Sequence, residues 1–302
     1  MGTPEFACPT LQKLLDNPEF EIVAVYTREP QIAGRGQKLT NSPIHELALK
    51  HNLPIITPKT LRNIQAQQEF IALNADAAVV AAYGLILPQE ILQATKLGCI
   101  NLHPSLLPRW RGPSPIQYTF FSGDQEIGVT IIKMDEGIDS GDMISQQKFL
   151  LEPQSNYNSL APQLAKLGAN MIIESLKDLR DKKITPIKQN DALATFSKKL
   201  KKEESKIDWN ESAEEISRKI RGLSGLLTAF FEFNGEIIKI YEAEIISNDE
   251  AHKPGEITID AINSEIKIQC KIGQIKPLIL QKAGKNKVTA KEFLNGLKHF
   301  KS

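Results

Sequence analysis

The sequence predicts an α/β protein with two domains. Over residues 1–182, short β-branched stretches alternate with stretches whose apolar residues recur at helical spacing, which indicates a mostly parallel sheet with intervening helices. From residue 207 onward, short strand-like stretches alternate with glycine and asparagine turns, a pattern typical of a small β-barrel. Residues 183–206 are polar and lysine-rich and predict a linker. We therefore expect a Rossmann-like N-terminal domain, 1–182, and an OB-like C-terminal β-barrel domain, 207–302.

The composition is that of an ordinary globular chain. Of 302 residues, 41% are hydrophobic and 24% charged, and the formal net charge is +1, so any RNA-binding surface must come from local clustering of lysine and arginine. Cys8, Cys99 and Cys270 lie far apart without a Cys-x-x-Cys pair, which argues against a disulfide framework or a zinc site, and we expect buried thiols. No apolar run reaches the roughly 20 residues of a membrane span, and we expect a cytoplasmic protein.

Helices are predicted where a capping signal or a helical apolar period occurs. Residues 10–15 have this period, and serine followed by proline opens helices at 43–50 and 115–121. The apolar residues of 163–182 recur every three or four positions, which predicts a long amphipathic helix. Further helical patterns cover 61–73, 88–96 and, in the second domain, 212–221.

Strands are predicted from apolar, β-branched stretches. In the first domain these are 21–27, 54–58, 75–84, 99–103, and the hairpin formed by 128–134 and 143–149. In the second domain they are 228–236, 237–243, 256–259, 265–270 and 275–281. Residues 28–40 are basic and glycine-rich without apolar periodicity, so we expect an exposed, mobile loop there.

Two candidate catalytic residues lie on the strand 99–103. Asn101 and His103 alternate with apolar residues, so on an extended strand their side chains share one face. Pro104 and Pro108 restrict the chain just beyond, which favours a rigid loop. An imidazole exchanges a proton near neutral pH, and an asparagine amide donates a hydrogen bond to oxygen charge that develops in a transition state.

A third candidate is Asp139, which lies in a turn between two glycines and could orient His103. Asp135 and Asp142 lie nearby, but such carboxylates are more often turn formers, and a metal site formed by the three is the lesser alternative. The chain has no glycine-rich phosphate loop before a helix and no Gly-x-Ser-x-Gly nucleophile motif. What remains is acyl transfer with Asn, His and Asp.

These motifs resemble the signature of the folate-dependent formyltransferase superfamily. Asn-Leu-His-Pro-Ser-Leu-Leu-Pro at 101–108 and Gly-Ile-Asp-Ser-Gly at 137–141 carry the resemblance. The catalytic trio of that superfamily is Asn, His and Asp, which implies catalytic roles for Asn101, His103 and Asp139.

Three further stretches narrow the resemblance to the members that act on methionyl-tRNA: Gly-Thr-Pro-Glu-Phe-Ala at 2–7, Gly-Arg-Gly at 34–36 and Arg-Trp-Arg-Gly at 109–112. The resemblance implies an enzyme of translation initiation. Its formyl donor is 10-formyltetrahydrofolate, its acceptor is the α-amino group of methionine on initiator tRNA, and it needs no metal. We expect a monomer.

The resemblance implies the folate-binding residues and a tRNA-contacting loop that includes Arg35. The lysines from Lys267 onward, which are opposed only by Glu292, predict a further patch that could follow a phosphate backbone. Folate is expected to contact Gly84, Leu85, Ile86, Ser105, Leu106, Leu107 and Pro108, and tRNA is expected to contact Arg35, Lys38, Lys282, Lys285 and Lys287. Two plainer interpretations stay open at this point. The apolar residues 85–87 could pack in the core, and the C-terminal lysines could form a solvated face.

The chain departs from the family at its start, because a first strand is expected before Gly2 and is absent from the sequence. A start assigned too late is the preferred explanation, and we expect the short form to be poorly soluble. Three other functions remain as alternatives: formyl transfer to a sugar or nucleotide amine, hydrolysis of the donor, and tRNA binding by a chain whose catalytic domain has decayed.

Overall fold

The computed structural model describes residues 1–33, 38–225, 227–246, 253–260 and 263–298. The chain forms two compact units. Unit 1 consists of Met1–Pro115, Glu126–Leu150 and Ala161–Ser197, and unit 2 consists of Ile116–Gln125, Leu151–Leu160 and Lys198–Ser302.

The helices are α1 (Cys8–Leu15), α2 (Pro43–Lys50), α3 (Ile64–Ala72), α4 (Gln89–Leu92), α5 (Pro115–Ser122), α6 (Tyr157–Arg180), α7 (Ala213–Leu223) and α8 (Ala290–Lys298). The strands are β1 (Val25–Tyr26), β2 (Gln31–Ala33), β3 (Lys38–Thr40), β4 (Ile55–Ile56), β5 (Ala78–Val80), β6 (Cys99–His103), β7 (Glu126–Lys133), β8 (Asp142–Leu150), β9 (Phe230–Phe233), β10 (Glu236–Ile246), β11 (Ile257–Asp260), β12 (Glu265–Gln269), β13 (Gln274–Lys282) and β14 (Val288–Thr289). The predicted α/β class is confirmed.

Two groups of strands form the sheet framework of unit 1. Strands β1 and β4 pair in parallel, and β5, β6, β7 and β8 form a four-stranded sheet in that order. Strand β5 runs parallel to β6, whereas β7 is antiparallel to both β6 and β8, as expected for the predicted hairpin. Strand β6 therefore lies between two neighbours, which buries all five of its residues.

Met1 and Gly2 bridge the two groups of strands. The Met1 amino group donates to Val79 O at 2.7 Å, and the Gly2 amide donates to Tyr26 O at 2.9 Å. Gly2 also forms a parallel bridge with Ala81. These two residues therefore occupy the place of a strand end between β1 and β5.

A cavity of about 820 Å³ continues from Met1 between the two groups of strands. Its apolar lining includes Leu14, Ile22, Ala24, Ala77, Val79 and Leu176. This gap has the neighbours that the expected first strand would have. Of the predicted strand 21–27, Val25 and Tyr26 form β1, and the Thr27 amide donates to Ile56 O at 3.1 Å. Residues 22–24 precede β1 and line the cavity.

The expected irregular loop 28–40 is wrong for residues 31–33 and 38–40, because β2 and β3 pair as antiparallel strands with Ile32 opposite Leu39. Residues 28–30 are irregular, as predicted. The expected exposure is observed, since these two side chains are 68% and 71% exposed. Backbone pairing satisfies the hydrogen-bonding groups that an irregular segment would leave to water. Residues 34–37 lie outside the described part of the chain.

The expected burial of the thiols holds for two of three cysteines. Cys99 and Cys270 are buried, and burial raises the pKa of each thiol to about 11. Cys8 is only half-buried because it begins α1, and partial burial together with the nearby Glu5 raises its pKa to about 11 as well.

Unit 2 is built on an antiparallel sheet of order β11-β12-β13-β10-β9, with β14 paired to β13. Register shifts between Ile240 and Ala243 interrupt the pairing of β10 with β13, and such bulges bend a strand toward a barrel. Helix α7 packs Ile216 and Ile220 into the core of this sheet. Helix α8 was not predicted from the sequence.

The segment predicted as a linker, 183–206, is divided between the two units, and most of its residues are exposed. Its part up to Ser197 belongs to unit 1, where Gln189 and Ser197 are buried. Ile187 exchanges two backbone hydrogen bonds with Met143, each 2.8 Å long. Backbone hydrogen bonds and a few buried side chains therefore fix parts of a segment whose composition is polar.

Candidate active site

Strand β6 presents the two polar residues of the site. Asn101 lies opposite Ile132 and His103 lies opposite Thr130 in the pairing with β7. The alternating Ile100 and Leu102 are buried on the other face of β6. Gly168 of α6 permits close packing there, because a Cβ at this position would lie 2.3 Å from Cδ1 of Leu102. The apolar face thus fixes the strand that carries the site.

The structure brings Asn101, His103 and Asp139 together. Asn101 Nδ2 donates to Asp139 Oδ1 at 3.4 Å. His103 Nδ1 lies 3.5 Å from Asp139 Oδ2. The side chains of His103 and Asp139 are 5% and 18% exposed, so solvent screens their interaction little. The carboxylate therefore contacts both candidate donors.

The backbone of Asp139 adopts an unusual conformation. Its φ is +50°, in the left-handed region that is unfavourable for residues other than glycine. The amide of Gly112 donates to Asp139 Oδ2 at 2.8 Å, so the carboxylate is fixed by a backbone donor as well as by side chains. A residue held in this conformation at a site suggests a functional constraint.

The second nitrogen of His103 is also engaged. Nε2 lies 2.9 Å from the carbonyl oxygen of Trp110. A carbonyl can only accept, so Nε2 carries the hydrogen in this contact. Trp110 itself has a φ of +61°, and its ring lies against the guanidinium of Arg109 at 4.4 Å.

The loop after β6 is held by Thr130 of β7, which is fully buried. Its hydroxyl donates to Ser105 O at 2.7 Å and accepts from the Leu107 amide at 3.1 Å. Gln146 of β8 donates to both Thr130 Oγ1 and Leu107 O at 2.9 Å. The peptide bond between Leu107 and Pro108 is cis. These hydrogen bonds hold the loop for which the two prolines predicted a rigid conformation.

The expected folate residues differ in accessibility. Ser105 and Leu107 are buried, whereas Leu106 and Pro108 are half-buried and border the loop surface. Ser105 Oγ donates to Arg109 O at 2.6 Å.

The second expected folate stretch follows β5. Gly84 is exposed with a φ of +80°, and its carbonyl accepts from Arg28 at 3.1 Å. Leu85 packs at the edge of the core that contains Leu87, and Ile86 is 64% exposed. Core packing therefore accounts for Leu85 and Leu87 but not for Ile86. Burial raises the pKa of the neighbouring Tyr83 hydroxyl well above its usual range.

The two alternative carboxylates, Asp135 and Asp142, have local structural positions. Asp135 accepts from Ser140 Oγ at 2.8 Å and from the Gly137 amide at 3.1 Å, so it shapes the turn that contains Asp139. Asp142 begins β8. Within the described residues, no group of His, Cys, Asp and Glu side chains is arranged to hold a metal ion.

The residues expected to contact tRNA are distributed over both units. Arg35 lies outside the described residues, and Lys38 is exposed on β3. In unit 2, Lys282 pairs with Glu236 at 2.8 Å, Lys285 is exposed, and Lys287 lies 3.7 Å from the centre of the Tyr241 ring.

The sequence analysis missed Arg111 and Gln189. Both are buried, and the Arg111 Nε and Nη2 groups donate to Gln189 Oε1 at 3.0 and 2.9 Å. Arg111 was noticed only as part of a motif, and Gln189 lies in the presumed linker. No local sequence pattern distinguishes Gln189, which bonds to Asp139 50 positions earlier in the chain, from an exposed glutamine.

Comparisons with known proteins show the family of this chain. Residues 1–176 match the formyl transferase family, and residues 199–298 match the formyl transferase C-terminal domain family. A methionyl-tRNA formyltransferase from Paramagnetospirillum magneticum is 44% identical over 299 residues, which are 98% of this chain and 95% of that relative. The chain belongs to the methionyl-tRNA formyltransferase family.

Solved structures share the fold. The methionyl-tRNA formyltransferase from Clostridium thermocellum has a TM-score of 0.50 at 25% identity, with 72% of this chain and 86% of that chain covered. The N-formyltransferase from Helicobacter canadensis has a TM-score of 0.66 at 19% identity, with 93% and 97% covered. Among the described residues, no helix combines the length and apolar character needed to cross a bilayer.

Proposed function

We propose that this protein transfers the formyl group of 10-formyltetrahydrofolate to the α-amino group of methionine on initiator methionyl-tRNA. The observation that carries the proposal is the meeting of Asn101, His103 and Asp139 at the end of β6, in a chain with both formyltransferase domains. The product primes translation initiation.

The reaction replaces one C–N bond by another. The amine nitrogen attacks the formyl carbon, and the bond between that carbon and N10 of the folate breaks. The proton lost by the amine passes to the departing N10, which gives tetrahydrofolate. Negative charge collects on the formyl oxygen in between, and donors aimed at that oxygen lower the barrier.

Asn101 and His103 are the proposed donors to this oxygen. The Asn101 amide has two hydrogens, of which one points to Asp139, so the other is available to a substrate. His103 Nε2 donates its hydrogen bond to the Trp110 carbonyl, and this bond must break before Nε2 can donate to the substrate. Asp139 orients the imidazole and helps to relay the proton.

We assign substrate binding as the resemblance implies. The loop Ser105–Pro108 and the stretch Gly84–Ile86 are proposed to contact the folate, with the accessible Leu106 and Ile86 as its apolar contacts. The proposed tRNA contacts are Arg35, Lys38, Lys282, Lys285 and Lys287. The three catalytic side chains come from one chain, so we propose a monomer, which light scattering tests. We also propose a cytoplasmic location, because the proposed substrates take part in translation initiation.

The deciding experiment is formyl transfer from 10-formyltetrahydrofolate to charged initiator tRNA, with His103→Ala as the inactive control. Transfer by the parent chain alone supports the proposal. Transfer to an amino sugar nucleotide but not to tRNA would instead assign the site to a different acceptor. Release of formate without any acceptor would assign donor hydrolysis, and tRNA binding without turnover would assign a decayed enzyme.

A further inference from the structure

Gln189 uses the full hydrogen-bonding capacity of its side chain within unit 1. Nε2 donates to the carbonyl oxygens of Asp139 and Gly141, each at 2.8 Å. Oε1 accepts two hydrogen bonds from Arg111, at 3.0 and 2.9 Å. An amide offers two donors and one oxygen with two acceptor sites, so every position is filled.

We propose that Gln189 is a positioning residue that holds Asp139 in its active orientation. The inference rests on the catalytic role proposed for Asp139 above. The Gln189 amide bonds to protein groups alone, so we assign it no contact with the substrate or the reacting atoms. It fixes the backbone of the turn from which the Asp139 carboxylate projects.

The strained turn explains why such a residue is needed. Asp139 has a φ of +50°, which costs about 1 kcal/mol or more for a residue with a side chain. Gln189 bonds to the carbonyl of Asp139 and to that of Gly141, two residues further on. The turn can therefore not relax to a more favourable conformation without breaking buried hydrogen bonds.

Arg111 joins this contact to the other side of the site. It lies next to Gly112, whose amide donates to the Asp139 carboxylate at 2.8 Å. Its guanidinium bonds to Gln189 and also to Asp191, with Nη2 2.7 Å from Oδ1. The backbone and the side chain of Asp139 are thus both held through one connected set of bonds.

Burial makes these bonds expensive to lose. Gln189 is 4% exposed and Arg111 is 5% exposed, so water cannot replace the missing partners. A leucine at position 189 would remove the donor to the carbonyls of Asp139 and Gly141 and the acceptor of Arg111 Nε, while Arg111 Nη2 would keep its bond to Asp191. The turn would then be free to move, and displacement of a catalytic group by about 1 Å can reduce the rate about 100-fold.

A double-mutant cycle tests the inference with the full chain. Gln189→Leu is expected to lower kcat by about 10- to 100-fold while KM for folate and tRNA changes less than about threefold. In an Asp139→Asn background the same substitution should have no further effect on kcat, because its effect passes through the carboxylate. Equal losses in both backgrounds, or an unchanged kcat in Gln189→Leu, would overturn the inference.

A second variant covers the case in which Gln189→Leu does not fold, as seen by thermal melting. Gln189→Glu keeps an acceptor for Arg111 but removes both donors to the turn, and it should fold and show the same loss of kcat. Parent-level kcat in folded Gln189→Glu would also overturn the inference.

Gln269 provides a matched control in unit 2. It is buried, and its Nε2 donates to Cys270 O at 2.9 Å and Gly273 O at 3.2 Å. Gln269→Leu is expected to lower the melting temperature without lowering kcat of the folded protein. A kcat loss equal to that of Gln189→Leu would contradict the positioning role of Gln189.

The catalytic role of Asp139 and the positioning role of Gln189 are tested separately. Parent-level kcat in the single variant Asp139→Asn would refute the catalytic role of Asp139.

Discussion

The backbone amide of Gly112 lies 2.8 Å from Oδ2 of Asp139 and joins two motifs that are 27 positions apart in the chain. Gly112 has a φ of +109°, which only glycine adopts readily. A Cβ at this position would lie 2.4 Å from the carbonyl oxygen of Ser197, so the loop can approach this segment only as glycine. The contact that orients the carboxylate therefore depends on the absence of a side chain.

Gly112→Ala is expected to displace the loop and to lower kcat by about 100-fold, with a reduced melting temperature. Formyl-transfer kinetics and calorimetry measure both effects. Gly235→Ala is the matched control, since Gly235 also has a positive φ, +76°, but no atom within 4 Å of the added Cβ. It should cost stability only, and equal kcat losses in both variants would contradict the explanation.

Asn101→Ala is expected to lower kcat by about 100- to 1,000-fold, because one oxyanion donor contributes roughly 2.7–4 kcal/mol. His103→Ala should lose most turnover for the same reason. The dissociation constant for initiator tRNA should stay within about twofold, since both residues are buried at the end of β6. Single-turnover rates and filter binding separate the two quantities. Weak tRNA binding with a normal rate would refute the assigned roles.

The cavity beside Met1 predicts that an added strand stabilises unit 1. A chain extended before Met1 by an apolar, β-branched segment should show a higher melting temperature and less aggregation than the parent. Each large apolar side chain buried there contributes about 1.5–3 kcal/mol. An extension of equal length made of glycine and serine is the control. The expectation fails if both extensions behave alike.

Stability should also depend on pH through the amino group of Met1. Burial lowers its pKa from 8.0 to about 6 in the folded chain. Between pH 8 and pH 6 the unfolded chain therefore binds more protons, and the free energy of unfolding should fall by up to about 2.7 kcal/mol as pH falls through this window.

Urea unfolding at pH 8 and pH 6 measures this change, on protein whose Met1 is shown by mass spectrometry to be present. Acetylation of the amino group removes the titration and serves as the control. A fall of equal size in the acetylated protein would assign the pH dependence to other groups.

The lysines of unit 2 predict a change in salt dependence of tRNA binding. Lys285→Ala and Lys287→Ala should each reduce the slope of log K against log salt concentration by roughly 0.7–0.9 if each contacts one phosphate. Lys276→Ala is the control. The ammonium group of Lys276 already pairs with Glu244 at 3.1 Å and with Glu265 at 2.9 Å, so we expect it to contact no phosphate. Equal slope changes in all three variants would argue for a general charge effect.

Local signals in the sequence identified much of the fold. Ser42 caps α2, with its hydroxyl accepting from the His45 amide at 3.1 Å, as the serine and proline there predicted. The hairpin of β7 and β8 and the alternation of Asn101 and His103 on β6 were also evident, because strand and helix periodicities are properties of neighbouring residues.

The sequence alone therefore determined the two-domain α/β class and the candidate catalytic side chains. Tertiary structure decided the rest: the pairing of β2 with β3, the helix α8, the cavity beside Met1 and the burial of Gln189. Gln189 and Arg111 are 78 positions apart in the chain. The sequence does not show whether a polar residue such as Gln189 is buried or exposed. Such contacts depend on which segments the fold brings together, and periodicity holds no information about partners that far along the chain.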